Sequence, residues 1–146
     1  MPTLVAYLCV FAGGIVGALA RFGAQEAFRK WTSLPGWGAI FIVNAAGSLI
    51  IGFAVAWLQG VQLEAELQHL SPLRLYIETQ NANHGLGLLA VGFCGAFTTF
   101  STFSLDNQFL FHGERGRMLF NAVGSVLVCL ALAALGWHLG QAGLHT

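Results

Sequence analysis

The sequence predicts an all-α membrane protein with four transmembrane helices, and three observations predict it. Of the 146 residues, 56% are hydrophobic and 8% are charged, with a mean hydropathy of +0.71, whereas a soluble domain carries about 25% charged residues. The charges are also segregated. Lys and Arg stand only at Arg21, Arg29, Lys30, Arg74, Arg115 and Arg117, and acids only at Glu26, Glu64, Glu66, Glu78, Asp106 and Glu114. Between them lie four uncharged stretches, 4–20, 38–58, 85–105 and 118–140, and a helix crosses hydrocarbon with roughly 20 apolar residues. None alternates with the period of a barrel strand, and backbone in lipid must satisfy itself, so each is read as a helix.

The chain is expected to form a single transmembrane domain, 1–146. Its first span, about 4–24, is short unless it extends past Arg21, whose side chain can snorkel to the interface. Ala18-Leu19-Ala20 looks like a signal-peptide cleavage site, but no basic residue precedes the apolar run, so a retained helix is expected. A connection with Arg29, Lys30 and Pro35 leads to the second span, about 38–58. The longest connection, 59–84, carries Leu63, Leu67 and Leu70 at helical spacing ahead of Pro72, which predicts a short interfacial helix. The third span, about 85–111, returns to the fourth, about 117–140. Trp31, Trp37, Trp57 and Trp137 fall near span ends, where interfacial anchors belong. Arg29, Lys30, Arg115 and Arg117 oppose only Arg74, so the positive-inside rule places both termini outside.

Small residues recur as Gly13-x-x-x-Gly17, Ser48-x-x-x-Gly52 and Gly136-x-x-x-Gly140, spacings that let helix backbones approach closely, first of all within one subunit. Four thin helices enclose little volume, so a path across the membrane is expected to need an oligomer. Cys9, Cys94 and Cys129 all fall inside spans and form no CxxC pair, which indicates neither a disulfide framework nor a zinc site. No nucleophile–base arrangement appears, so no enzyme is expected.

The third span is chemically unusual. In Gly92-Phe93-Cys94-Gly95-Ala96-Phe97-Thr98-Thr99-Phe100-Ser101-Thr102-Phe103-Ser104, glycines precede a cluster of hydroxyl residues. Such a run weakens helical regularity and predicts a break around 95–99, whose freed carbonyls would be hard ligands suited to Na⁺. The competing reading is an intact helix whose hydroxyls bond back to their own carbonyls. Phe97, Phe100 and Phe103 are either a packing stripe or a set of positive ring edges facing an anion, with hydroxyl donors between them. Asn44 brings two N–H donors to membrane depth. Asn121, Ser125 and Cys129 share a face of the fourth span, as interhelical glue or as the lining of a path. Arg21 either draws anions into a vestibule or snorkels.

At this point the residues become recognisable: GFCGAFTTFSTFS resembles the third-helix signature of the Fluc (CrcB) fluoride channels. Gly13-Gly14-x-x-Gly17-x-x-x-Arg21 is similar to the family's first helix, Asn44-x-x-Gly47-Ser48 with Gly52 to its second, and Asn121-x-x-Gly124-Ser125 to its fourth. The resemblance implies an antiparallel, dual-topology homodimer with two fluoride pores and a structural Na⁺ at its centre. It implies that Gly95 and Thr98 offer carbonyls to that Na⁺ and that Phe100 and Phe103 turn ring edges to fluoride. Asn44 would be the pore asparagine and Arg21 the vestibule arginine, with Ser101, Thr102, Ser125 and Cys129 as further pore lining. Ala96 departs from a glycine usual in the motif, the 59–84 connection is longer than usual, and the basic-residue bias leaves a heterodimer with a homologous chain as an alternative. The implied function is passive, fluoride-selective export in a bacterial inner membrane, which lowers cytoplasmic fluoride. A four-helix exporter of cations or drugs would want an acidic residue in the first helix, where 4–20 has none. A non-transporting assembly subunit would leave the hydroxyl–aromatic run unexplained.

Overall fold

Apolar runs that bury no backbone polar group except against themselves become long helices. In the computed structural model, which describes residues 2–32, 35–67 and 71–143, every regular element among them is helical. They are α1 (Pro2–Trp31), α2 (Gly36–Leu67), α3 (Pro72–Leu86), a wide-turn segment π1 (Gly87–Cys94), α4 (Gly95–Phe97), α5 (Phe100–Gly113) and α6 (Arg115–Ala142). Four helical stretches, Leu4–Trp31, Gly36–Gly60, Leu73–Gly113 and Arg115–Ala142, are long and apolar enough to cross a membrane. At 28 residues, α6 is about 42 Å long, more than the ~30 Å hydrocarbon core.

The connection at 59–84 is helical over most of its length. The second helix runs on through Leu67, and α3 starts at Pro72, whose missing N–H costs nothing at a first helical position. Leu70 lies outside the described residues. The third span enters through α3 and π1, breaks after α4, and resumes as α5. Glu114, whose backbone leaves helical geometry (φ −140°, ψ 65°), separates α5 from α6.

Two helix pairs carry the packing, α2 with α6 and α1 with π1 and α4. Glycine sets both separations. A Cβ at Gly13 or Gly17 would fall on the backbone carbonyls of Leu88 or Phe93, and one at Gly92 on the carbonyl of Val10. On the other seam, a Cβ at Gly52 would meet Ala133 O, and Cβ atoms at Gly136 and Gly140 would meet Leu49 O and Phe53 O. The three small-residue motifs are thus used inside the subunit, backbone against backbone. The buried interior is narrow: Val43, Asn121 and Cys94 are its largest fully buried side chains. Leu4, Leu8, Phe11, Ile15, Leu19 and Phe22 of α1 face outward, as lipid-facing residues should.

A glycine at a seam and one away from it should behave oppositely. Gly136→Leu should destabilise the detergent-solubilised protein by about 1–3 kcal/mol through forced helix separation. Gly14→Ala, where an added Cβ meets nothing within 4 Å, should be neutral. The fraction surviving a heat step in size-exclusion chromatography reads both, and equal survival of the two variants would refute the close-approach argument.

Candidate functional site

The site begins where the third span stops being a helix. Phe97 ends α4, and Thr98 (φ −78°, ψ 158°) and Thr99 (φ −147°, ψ 124°) are extended before α5 restarts at Phe100. Between the two sequence readings, the structure takes the broken helix, and it keeps part of the other: Thr98 Oγ1 donates back to Cys94 C=O at 2.8 Å, the same carbonyl that receives Thr98 N–H at 3.0 Å. Thr99 caps the new helix, its hydroxyl accepting Thr102 N–H at 3.4 Å.

The break is held from outside the span. Asn44 on α2 donates Nδ2–H to Thr99 C=O at 3.2 Å, and its Oδ1 accepts Thr99 N–H at 2.9 Å. A side-chain amide thus exchanges both hydrogen bonds with an extended residue, as a neighbouring strand would. In a continuous helix Thr99 N–H would bond to the carbonyl of Gly95; committed to Asn44, it leaves that oxygen without its helical donor.

Around the break lies an open groove of ≈ 290 Å³ lined by Asn44, Ser48, Thr98, Thr99, Phe100, Phe103, Ser125, Val126 and Cys129. It gathers five of the seven residues expected to line a pore: Asn44, Phe100, Phe103, Ser125 and Cys129. The other two sit beside it. Ser101 Oγ and Thr102 Oγ1 each lie 3.2 Å from Thr99 Oγ1, and Thr102 faces a different cavity. The Phe100 and Phe103 rings lie 5.9 Å apart, tilted by 38°, and Phe100 is 80% exposed on the single chain. Phe97 parts from this pair at the break, buried and stacked on Phe93 at 5.3 Å. The three-residue aromatic stripe is therefore split between packing and groove.

Most hydroxyl protons of the groove are already committed. Ser48 Oγ donates to Asn44 C=O at 2.9 Å, Thr98 Oγ1 to Cys94 C=O, and Ser125 Oγ to Asn121 Oδ1 at 3.3 Å. What remains for an anion is the second Asn44 N–H, the shared protons of the Thr99–Ser101–Thr102 cluster and the aromatic edges.

Gly95 and Thr98, expected to offer carbonyls to a cation, line an adjoining cavity of ≈ 250 Å³ together with Gly47, Ser48 and Cys94. Ser48 and Thr98 belong to both spaces. Thr98 Cγ2 also occupies the place a Cβ on Gly47 would take, so a glycine there admits the extended segment.

A third cavity, ≈ 310 Å³, holds Gln25, Arg29, Thr102 and Asp106. Its cation is Arg29, which clamps Glu26 through Nε at 2.9 Å and Nη2 at 2.7 Å. Arg21 is half-exposed on α1 and lines neither this cavity nor the groove. Sequence reading missed Asp106, whose Oδ2 is buried without a hydrogen-bond partner; its place four residues after Thr102 in one helix was the available signal. Ser48, Thr99 and Val126 were also missed as groove residues.

Residues 8–137 match the family described as CrcB-like protein, Camphor Resistance (CrcB). A protein of Gluconobacter oxydans is 32% identical over 142 residues, covering 95% of this chain and 86% of its own. One of Nitrobacter winogradskyi is 37% identical over 139 residues, covering 88% and 90%. One of Thermus thermophilus is 37% identical over 139 residues, covering 93% and 94%. All three carry the name fluoride-specific ion channel FluC.

Losing the Asn44 amide should loosen the break itself. Asn44→Ala leaves a buried donor and acceptor of Thr99 unmatched, at a cost on the order of 1–3 kcal/mol. Hydrogen exchange followed by mass spectrometry should show faster exchange at residues 97–102, with the α2–α6 seam unchanged. Unaltered exchange at 97–102 would mean that the break does not depend on Asn44.

Proposed function

The chain belongs to the CrcB family, and from that membership we propose a passive, fluoride-selective channel of a bacterial cell membrane that lets fluoride leave the cytoplasm. Hydrogen fluoride that enters a cell dissociates at neutral pH, and a channel returns the trapped anion down its gradient. The observation that carries this reading is the groove at the break, where Asn44, hydroxyl groups and the Phe100 and Phe103 rings converge with no carboxylate, Lys or Arg lining it among the described residues. Fluoride is small and strongly hydrated, so a site for it must replace water with N–H, O–H and ring-edge contacts. A fixed positive charge would hold the ion; partial charges let it enter and leave.

The pore would then be formed by Asn44, Phe100, Phe103, Ser125 and Cys129, with Ser101 and Thr102 supplying hydroxyls through the Thr99 cluster. Arg21 would act at a vestibule, ahead of the groove. The groove is open along the subunit surface, and the exposure of Phe100 gives a second copy an apolar face to cover. An antiparallel homodimer would close it twice, once per subunit, and pairing with a homologous chain would do the same.

A structural Na⁺ fits the chemistry of the break. The Gly95 carbonyl has lost its helical donor to Asn44, and Thr98 is extended beside it, so both could offer hard oxygen ligands without any carboxylate. Bound there, the ion would supply fixed positive charge at the subunit junction and hold the two breaks in register. Replacing Na⁺ by N-methylglucamine during purification should shift the protein from dimer to monomer in size-exclusion chromatography; an unchanged dimer would remove the ion from the proposal.

The function itself is tested in liposomes containing only this chain, with a fluoride electrode and a chloride control. Fast fluoride efflux without chloride loss is expected. Phe100→Ile and Phe103→Ile should each assemble normally and lower the flux by on the order of tenfold or more, since an aliphatic group has no positive edge. Wild-type rates in both variants would remove the rings from the pore.

A further inference from the structure

Behind the groove, three side chains form a hydrogen-bonded chain with one possible direction. Asn107, one turn beyond Phe103 on α5, donates Nδ2–H to Phe103 C=O at 2.9 Å. A carbonyl only accepts, so this bond fixes which way the Asn107 amide faces. Its Oδ1 therefore meets α6, where it accepts Nδ2–H from Asn121 at 3.1 Å. Asn121, fixed in turn, aims Oδ1 at Ser125, and the Ser125 hydroxyl must be the donor of their 3.3 Å bond. Asn121 is 1% exposed and Ser125 5%, so water has little access with which to substitute for either of these two.

Ser125 is the one member of this chain that lines the groove. Its proton points away from the groove, into the protein, and its lone pairs are what it can turn to the groove. Nothing in the chemistry of a serine alone dictates this; the Phe103 carbonyl does, through two asparagines.

We propose that Asn107 is a positioning residue for permeation, which, by orienting Asn121, holds the Ser125 proton out of the groove and keeps the groove from binding fluoride too tightly. The proposal rests on the channel reading above. Without Asn107, the Asn121 amide is free to turn over and present Nδ2–H to Ser125 Oγ. Ser125 then releases its own proton toward the groove, and a passing anion meets one more donor. Tighter binding at a site inside a conduction path slows exit.

The test measures initial fluoride efflux from liposomes as a function of internal fluoride for four proteins: wild type, Asn107→Leu, Ser125→Ala and the double variant. Asn107→Leu should lower both the half-saturating fluoride concentration and the maximal flux by about three- to tenfold, the worth of one hydrogen bond. On the Ser125→Ala background the same substitution should change neither quantity, because the group it acts through is gone. A purely structural Asn107 would shift flux equally on both backgrounds, and that result overturns the proposal, as does an Asn107→Leu protein that behaves like wild type. Asn107→Ala, which suits a helix interior, serves if the leucine variant misassembles. If neither variant yields folded protein, Asn107 is structural and the proposal fails. A silent wild type would overturn the channel reading and the relay with it, whereas a conducting wild type with background-independent effects overturns the relay alone.

Discussion

Everything at the site depends on one exchange of hydrogen bonds, between the side-chain amide of Asn44 and the backbone of Thr99. Extended backbone inside a membrane span leaves an N–H and a C=O with no helical partner, and in hydrocarbon each would cost several kcal/mol. Asn44 meets both at once from a different helix. Thr98 looks after itself by bonding back to Cys94, and Thr99 turns its hydroxyl to capping the next helix. The break is thus a satisfied structure, and it re-aims the chain so that Phe97 packs inward while Phe100 and Phe103 emerge on the groove.

That exchange requires α2 to stand close to the third span, inside a bundle whose two seams are set by glycine. Gly52, Gly136 and Gly140 press α2 and α6 together backbone to backbone, while Gly13, Gly17 and Gly92 do the same for α1 and π1. Gly47 leaves room for Thr98 to pass. With the helices this close, little side-chain volume is left inside the subunit, and the polar atoms that remain are ordered by one another. The bundle is thin, and its polar residues lie at a surface groove that the proposed second copy would close.

The four spans were legible in the sequence because composition alone decides whether a segment tolerates lipid. The break was half legible: Gly95 and the Thr98–Ser104 hydroxyls weakened the helix on paper, but intact and broken readings stayed open, since the deciding partner, Asn44, lies 55 residues away. Periodicity put Phe97 in line with Phe100 and Phe103 and could not show that the break rotates it out. The wide-turn helix at Gly87–Cys94 has no pattern that separates it from an ordinary apolar helix. Asp106 closes the uncharged stretch 85–105 in the sequence, but nothing in that pattern shows that its carboxylate turns inward, with Oδ2 buried.

As the proposed anion site, the groove's hydroxyls offer less than their number implies. Ser48, Thr98 and Ser125 each give their single proton to a protein oxygen, so counting hydroxyls in the sequence overstates the donors available. What faces the groove is one amide N–H, a shared hydroxyl cluster and two aromatic edges, all partial charges. Such a set can offset part of an anion's lost hydration without exceeding it, and an ion that is never bound too well can leave at the rate it arrives. The same commitments explain why polar residues can sit at this depth at all. Each is anchored to a carbonyl or amide of its own subunit, so the groove keeps its shape whether or not an ion is in it.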